Sequence, residues 1–160
     1  ENAEQAAYDE AMCYFKQSPR YSLEQASTQR AIDAFQDFVN RYPKSTKMEQ
    51  ANAKIDELRG KLRKKSYENA YLYYKIGQYY AASVALTNFL KDFPEYENPE
   101  KIDFIVVKAL KKYADGSYSA KQEERFAEEQ KAYEAFKLKY PKSSYLPELE
   151  KMQHIKKKKK

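Results

Sequence analysis

Arg41-Tyr42-Pro43-Lys44-Ser45 returns twice, as Asp92-Phe93-Pro94-Glu95-Tyr96 and as Lys139-Tyr140-Pro141-Lys142-Ser143, with the prolines 51 and 47 residues apart. An aromatic residue precedes each proline: Tyr42, Phe93 and Tyr140. Five positions before the prolines lie Phe38, Phe89 and Phe136; eight before lie Phe35, Leu86 and Tyr133; nine before lie Ala34, Ala85 and Ala132. Four columns in register establish an internal repeat. Offsets of one, five and eight place the large side chains on one face of a helix, and alanine lets a neighbouring helix come close. The proline then stops the helix, because it lacks an N–H and biases the residue before it away from helical angles.

A new helix is expected soon after each proline. Thr46 with Glu49 has the pattern of a capping box, and Ser144 is placed to cap the last helix. Asn98-Pro99 pairs an N-cap residue with a proline at the first helical position. Apolar spacing predicts helices over 2–16, 24–41, 46–77, 80–92, 99–114, 120–139 and 144–156, with a bend allowed at Gly60. Ser18–Ser22 and Asp115–Ser119 are read as loops, the second as the more mobile. The chain therefore reads as a single all-α domain over 1–160, with helix-hairpin units of roughly 1–43, 44–94 and 95–141. A final helix 144–156 and a lysine tail 156–160 complete it. Stacking of such hairpins, each of which leaves an apolar face bare, gives a right-handed α-solenoid.

Composition agrees with helices. Three Gly and six Pro in 160 residues supply too few turns for an all-β chain. No run approaches the length of a membrane span. The residues from Glu1 to Tyr8 already read as helix and no initiator methionine precedes them, so an upstream segment is expected. The net charge of +6 rests mainly on Lys156 to Lys160; without them it falls to +1. The body is near neutral with interleaved charges, which argues against a nucleic-acid partner. The lysine run reads as a solvated tail, with anionic lipid or an acidic protein as the alternative contact.

Catalytic chemistry finds little to build on. Cys13 and His154 are the only residues of their types. Cys13 is expected to be a small buried apolar residue. Adjacent pairs such as Glu123-Glu124 and Glu128-Glu129 point to different helix faces and do not converge. No phosphate loop, nucleophile elbow or metal motif is present. The expectation is a protein-binding scaffold, with no catalytic residues, no cofactor and no metal. The 16 tyrosines are read mostly as packing residues, with Tyr21, Tyr96, Tyr118 and Tyr145 in loops or at helix ends as partner contacts. The cluster Arg59, Lys61, Arg63, Lys64 and Lys65 is read as either a solvated face or a docking surface for acidic groups. Arg59 with Arg63 and Lys61 with Lys65 form stripes on roughly opposite faces, with Leu58 and Leu62 turned inward.

From Ala70 to Ala82, Ala70-Tyr71-Leu72-Tyr73-Tyr74-Lys75-Ile76-Gly77-Gln78-Tyr79-Tyr80-Ala81-Ala82 resembles the tetratricopeptide repeat, continued by Leu86, Phe89 and Pro94. Ala70, Tyr73, Gly77, Tyr79, Ala82 and Pro94 match its small, aromatic, turn and terminal positions. The first and third units match in their second helices, where Glu129 replaces the small residue seen at Ala31 and Ala82, so the third unit is expected to be the least regular. More closely, the chain resembles the later repeats of the BamD family, the outer-membrane lipoproteins of the β-barrel assembly machinery. The residues that carry this are Ala31-Ile32-x-x-Phe35-x-x-Phe38-Val39-x-Arg41-Tyr42-Pro43-x-Ser45, Ala51-Asn52, Ile55-x-x-Leu58-Arg59, Ala70-x-x-Tyr73-Tyr74-x-x-Gly77-x-Tyr79-x-Ala81-Ala82 and Phe89-Leu90-Lys91-Asp92-Phe93-Pro94. The resemblance implies a lipid anchor in the upstream segment, a place on the periplasmic face of the outer membrane, and BamA as partner through its POTRA domain nearest the membrane, with other assembly subunits also possible partners. A periplasmic adaptor of the Tol-Pal coordinator kind and a regulatory repeat domain of a longer enzyme are the alternatives.

Overall fold

The computed structural model describes residues 2–157, with side chains through 153. The side chain of His154 and the lysine run 156–160 lie outside the described residues, except that the helical backbone reaches Lys157. Seven helices and no strand are found among the described residues: α1 Asn2–Gln17, α2 Ala26–Arg41, α3 Met48–Lys75, α4 Tyr79–Asp92, α5 Pro99–Asp115, α6 Ser119–Lys139 and α7 Leu146–Lys157. The chain is an all-helical, tetratricopeptide-like repeat protein. Two compact units are formed, Glu1–Ser66 and Tyr67–Lys160. Helix α3 runs unbroken through Gly60 and contributes residues to both.

The three proline turns share one geometry. Tyr42, Phe93 and Tyr140 have φ/ψ of −124/60, −130/68 and −129/65 degrees. Proline disfavours αR at these positions, yet each residue's N–H still donates to the phenylalanine carbonyl four residues back, at Phe38, Phe89 and Phe136. Three residues beyond, Ser45, Tyr96 and Ser143 return an N–H to Tyr42, Phe93 and Tyr140 at 3.0 to 3.1 Å. The third turn is as regular as the other two.

The restarts of α3 and α7 differ from the capping pattern expected, whereas that of α5 follows it. Ser45 and Ser143, not Thr46 and Ser144, provide the side-chain acceptors, taking the Lys47 and Tyr145 N–H groups at 3.1 and 3.0 Å. The serine two residues after proline sits inside the turn, whereas its successor points outward. Where the second turn lacks that serine, Asn98 accepts from Lys101 N at 3.1 Å ahead of Pro99. Between α3 and α4, Gly77 adopts φ of 81°. There the Gln78 N–H reaches Tyr73 O and the Gly77 N–H reaches Tyr74 O, which closes the helix in a Schellman motif.

The repeat columns form the cores. Phe38, Phe89 and Phe136 are 1, 1 and 2% exposed, and Phe35, Leu86 and Tyr133 are buried beside them. Twelve before each proline stand Ala31, Ala82 and Glu129, all fully buried; eight after it stand Ala51, Ile102 and Leu149, also fully buried. Ala34, Ala85 and Ala132 are half-buried instead, so full burial falls at the twelfth position and not the ninth. In the first unit Tyr8 meets Phe35 and Phe38 edge-on at 5.9 and 5.3 Å. In the second, Phe89 packs with Tyr67, Phe93 and Tyr96 at 5.0 to 5.7 Å. Each such aromatic contributes about 1.5–3 kcal/mol by burial.

Candidate functional site

Helix α3 turns Leu58 into the first core and thereby fixes where its basic residues point. Arg59 is exposed. Lys61 and Lys65, one turn apart, instead lie along the irregular segment between α1 and α2. Lys61 Nζ donates to Ser18 Oγ at 3.0 Å and Lys65 Nζ donates to Leu23 O at 2.6 Å. Lys64 Nζ sits 4.3 Å from the centre of the Tyr21 ring. Arg63 is half-buried and engaged by other residues of the chain. Of the five basic candidates, Arg59 and Lys64 are exposed, while Lys61 and Lys65 are hydrogen-bonded to the segment between α1 and α2. Sequence periodicity sees helix faces but not a loop that folds back with carbonyl oxygens to satisfy.

The four tyrosines read as partner contacts separate in the same way. Tyr96 stacks on Tyr67 at 6.1 Å and meets Phe89 edge-on. Tyr145 stacks on Phe104 at 4.4 Å, and Tyr21 lies under Lys64. Tyr118 is 90% exposed. Its loop makes contacts of its own: Ser117 Oγ donates to Tyr113 O and accepts from Arg125 Nη1, whose guanidinium lies 4.0 Å over the Tyr113 ring. Cys13 is exposed, not buried. Helix α1 buries Ala11 and half-buries Met12 and Phe15, a stripe that leaves position 13 on the solvent side.

Among the packing residues of the hairpin, Ala70, Ala82 and Leu86 are buried and Tyr79 is half-buried, while Tyr73, Gly77 and the three prolines Pro43, Pro94 and Pro141 are exposed. Tyr67, Tyr71 and Tyr74 lie in a row on α3 with nearly parallel rings 5.7 and 5.8 Å apart.

Shallow grooves run between paired helices. One, of about 260 Å³, is floored by Val106, Val107, Ala132, Ala135 and Phe136. It is closed at one end by Asp103, which accepts from Lys139 Nζ at 2.8 Å and from the Tyr140 hydroxyl at 2.9 Å. That hydrogen bond to Asp103, then the one to Tyr140, raises the Lys139 ammonium above its ordinary pKa; burial raises the Tyr140 phenol. These groups are paired with one another for structure. No cluster of ligating side chains that could hold a metal ion occurs among the described residues, and no described helix is long and apolar enough to cross a membrane.

Comparison with known proteins matches residues 1–125 to the family described as YfiO, outer membrane lipoprotein. The chain is also similar to the outer membrane protein assembly factor BamD of Caulobacter vibrioides, with 37% identity over 81 residues. That alignment covers 51% of this chain and 27% of the relative's length, so the chain spans little more than a quarter of it.

Proposed function

We propose that this chain, which belongs to the YfiO family of outer membrane lipoproteins, is a non-enzymatic component of the machinery that assembles β-barrel proteins in the outer membrane. It works at the periplasmic face and docks onto the periplasmic POTRA region of BamA. The observation that carries this reading is the family match over 1–125 together with the BamD similarity. A binding role is supported by the regularity of the fold: three like proline turns hold rigid hairpins whose repeated columns face inward, leaving outward residues such as Arg59 and Tyr118 for a partner. Rigid, preorganised surfaces of this kind bind without the cost of ordering a loop.

Placing a photo-crosslinking amino acid at Arg59, and separately at Tyr118, in cells that make the native protein tests this reading. An adduct with BamA from at least one position is expected. Adducts only with proteins outside the assembly machinery would overturn it.

A further inference from the structure

Two turns lie side by side at one end of the second unit. Tyr80, at the start of α4, has its ring 5.1 Å from Tyr113, near the end of α5. Lys112 Nζ lies 5.1 Å from both the Tyr74 and Tyr79 rings, and Arg125 of α6 covers Tyr113. The α3–α4 and α5–α6 turns are therefore held together by aromatic and cationic contacts.

This end projects apolar side chains into solvent. Ile76 is 60% exposed, Tyr80 is 47% exposed and Tyr118 is the most exposed of the three. It also carries Lys75, Lys112 and Arg125, which rest on tyrosine rings. Among the described residues none of these three cations is ion-paired with a carboxylate. The neighbouring carboxylates of Asp115 and Glu124 are instead bonded by Lys111 and Lys121. A cation over a ring keeps its charge and its hydration on the outer side.

We propose that this turn end rests on an anionic lipid bilayer, with Ile76, Tyr80 and Tyr118 at the headgroup boundary and Lys75, Lys112 and Arg125 against lipid phosphates. Tyrosine and aliphatic side chains beside lysine and arginine that have no carboxylate partner among the described residues form the composition of a membrane-interface surface. Ile76, Tyr80 and Tyr118 project from turns or helix starts and do not line the groove between α5 and α6. Projecting residues can enter an interface but do not enclose a peptide side chain. The family is one of outer membrane lipoproteins, so a lipid surface is within reach of the chain.

The test uses the whole chain with Lys156 to Lys160 replaced by glutamine in every sample, which removes the tail's own attraction to anionic lipid. The chain has no Trp, so Tyr118→Trp gives a single fluorescent reporter at an exposed site. Vesicles of phosphatidylcholine, with or without phosphatidylglycerol, are added at low and moderate salt, and binding is also read by sedimentation. Anionic vesicles should shift the emission of the introduced tryptophan to the blue and sediment the protein, with salt weakening both effects. Lys75→Gln should weaken binding about five-fold, and Ile76→Ser should weaken it and reduce the blue shift. Absence of vesicle binding, or binding by both folded variants equal to that of the parent, would overturn the proposal. So would emission that responds to a soluble acidic polypeptide and not to vesicles, which would assign the surface to a protein.

Discussion

Lys61 Nζ donates to Ser18 Oγ at 3.0 Å, and that bond begins a directional chain of polar groups through the first unit. Ser18 Oγ lies 2.7 Å from Thr28 Oγ1, whose hydroxyl donates to Gln25 Oε1 at 2.7 Å. The Gln25 amide then donates to the carbonyls of Arg20 and Leu23, and Lys65 reaches Leu23 as well. The Arg20 carbonyl also accepts the Leu23 N–H at 3.1 Å, so side chains and backbone together tie the segment between α1 and α2.

Thr28 is fully buried in that chain. Thr28→Val keeps its volume but leaves Gln25 Oε1 without its donor, and is expected to cost about 1–3 kcal/mol in urea unfolding. Thr46→Val, at an exposed position, should stay within about 0.5 kcal/mol of the parent. Equal effects from the two would show that the network does not hold the segment.

Gly60 within α3 and Gly77 just past its end should respond in opposite directions to alanine. A Cβ at Gly60 meets nothing within 4 Å, so Gly60→Ala should stabilise by about 0.5–1 kcal/mol through helix propensity. Gly77 has φ of 81°, where a side chain strains the backbone, so Gly77→Ala should destabilise by about 1–2 kcal/mol. Thermal melting of both variants decides the matter, and a shift of the same sign in both would contradict the helix ending described.

Ala82 is fully buried in the column shared with Ala31 and Glu129. Ala82→Asp should therefore lose more than ~2 kcal/mol, since no partner is in place for a buried carboxylate. Glu129 survives in the same column because Gln153 of α7 donates to it. A melting temperature for Ala82→Asp within a degree or two of the parent would remove Ala82 from the helix contact.

These residues also show what a sequence reveals and why. The proline columns are legible because proline and aromatic side chains dictate backbone geometry locally, and one geometry recurs at Tyr42, Phe93 and Tyr140. The buried column at Ala51, Ile102 and Leu149 is open to the same counting, continued past the proline instead of back from it. Cys13 escapes its neighbours' pattern because one small residue next to Met12 carries no direction until the helix phase is fixed by Ala11 and Phe15. The roles of Lys61, Lys65, Tyr96 and Tyr145 depend on contacts between segments distant in the chain, for which helical periodicity has no signal. Arg59 and Tyr118 stay outward because nothing in the fold folds back over them.

Stability should fall in alkali. Burial, aided by nearby Tyr96, Tyr71 and Glu68, raises the Tyr67 phenol; burial first and then Glu150, Glu134 and Glu129 raise Tyr133; burial raises Tyr140. The Asp103 hydrogen bond raises Lys139. A group with a raised folded pKa contributes stability that is complete below its unfolded pKa and is lost as pH rises through the folded one. With unfolded values of about 10 for Tyr and 10.4 for Lys, unfolding free energy should drop from about pH 10 upward. Asp103→Asn should shrink the part of that drop due to Lys139. Urea unfolding across alkaline pH, with tyrosinate absorbance followed in parallel, provides the check; stability that rises above pH 10 would contradict the burial assigned to these phenols.

The central claim is a direct docking of this chain on BamA. Titration calorimetry of the folded chain into the purified periplasmic POTRA region of BamA from the same organism measures it most directly. Saturable one-to-one binding is predicted, weakened several-fold by Arg59→Glu at low salt and less so at moderate salt, because exposed charges act mainly on encounter and are screened. The Lys61→Glu, Lys65→Glu double variant should instead lower the melting temperature of the chain itself. No heat of binding up to roughly 100 micromolar, where even a weak complex would be seen, would contradict the account.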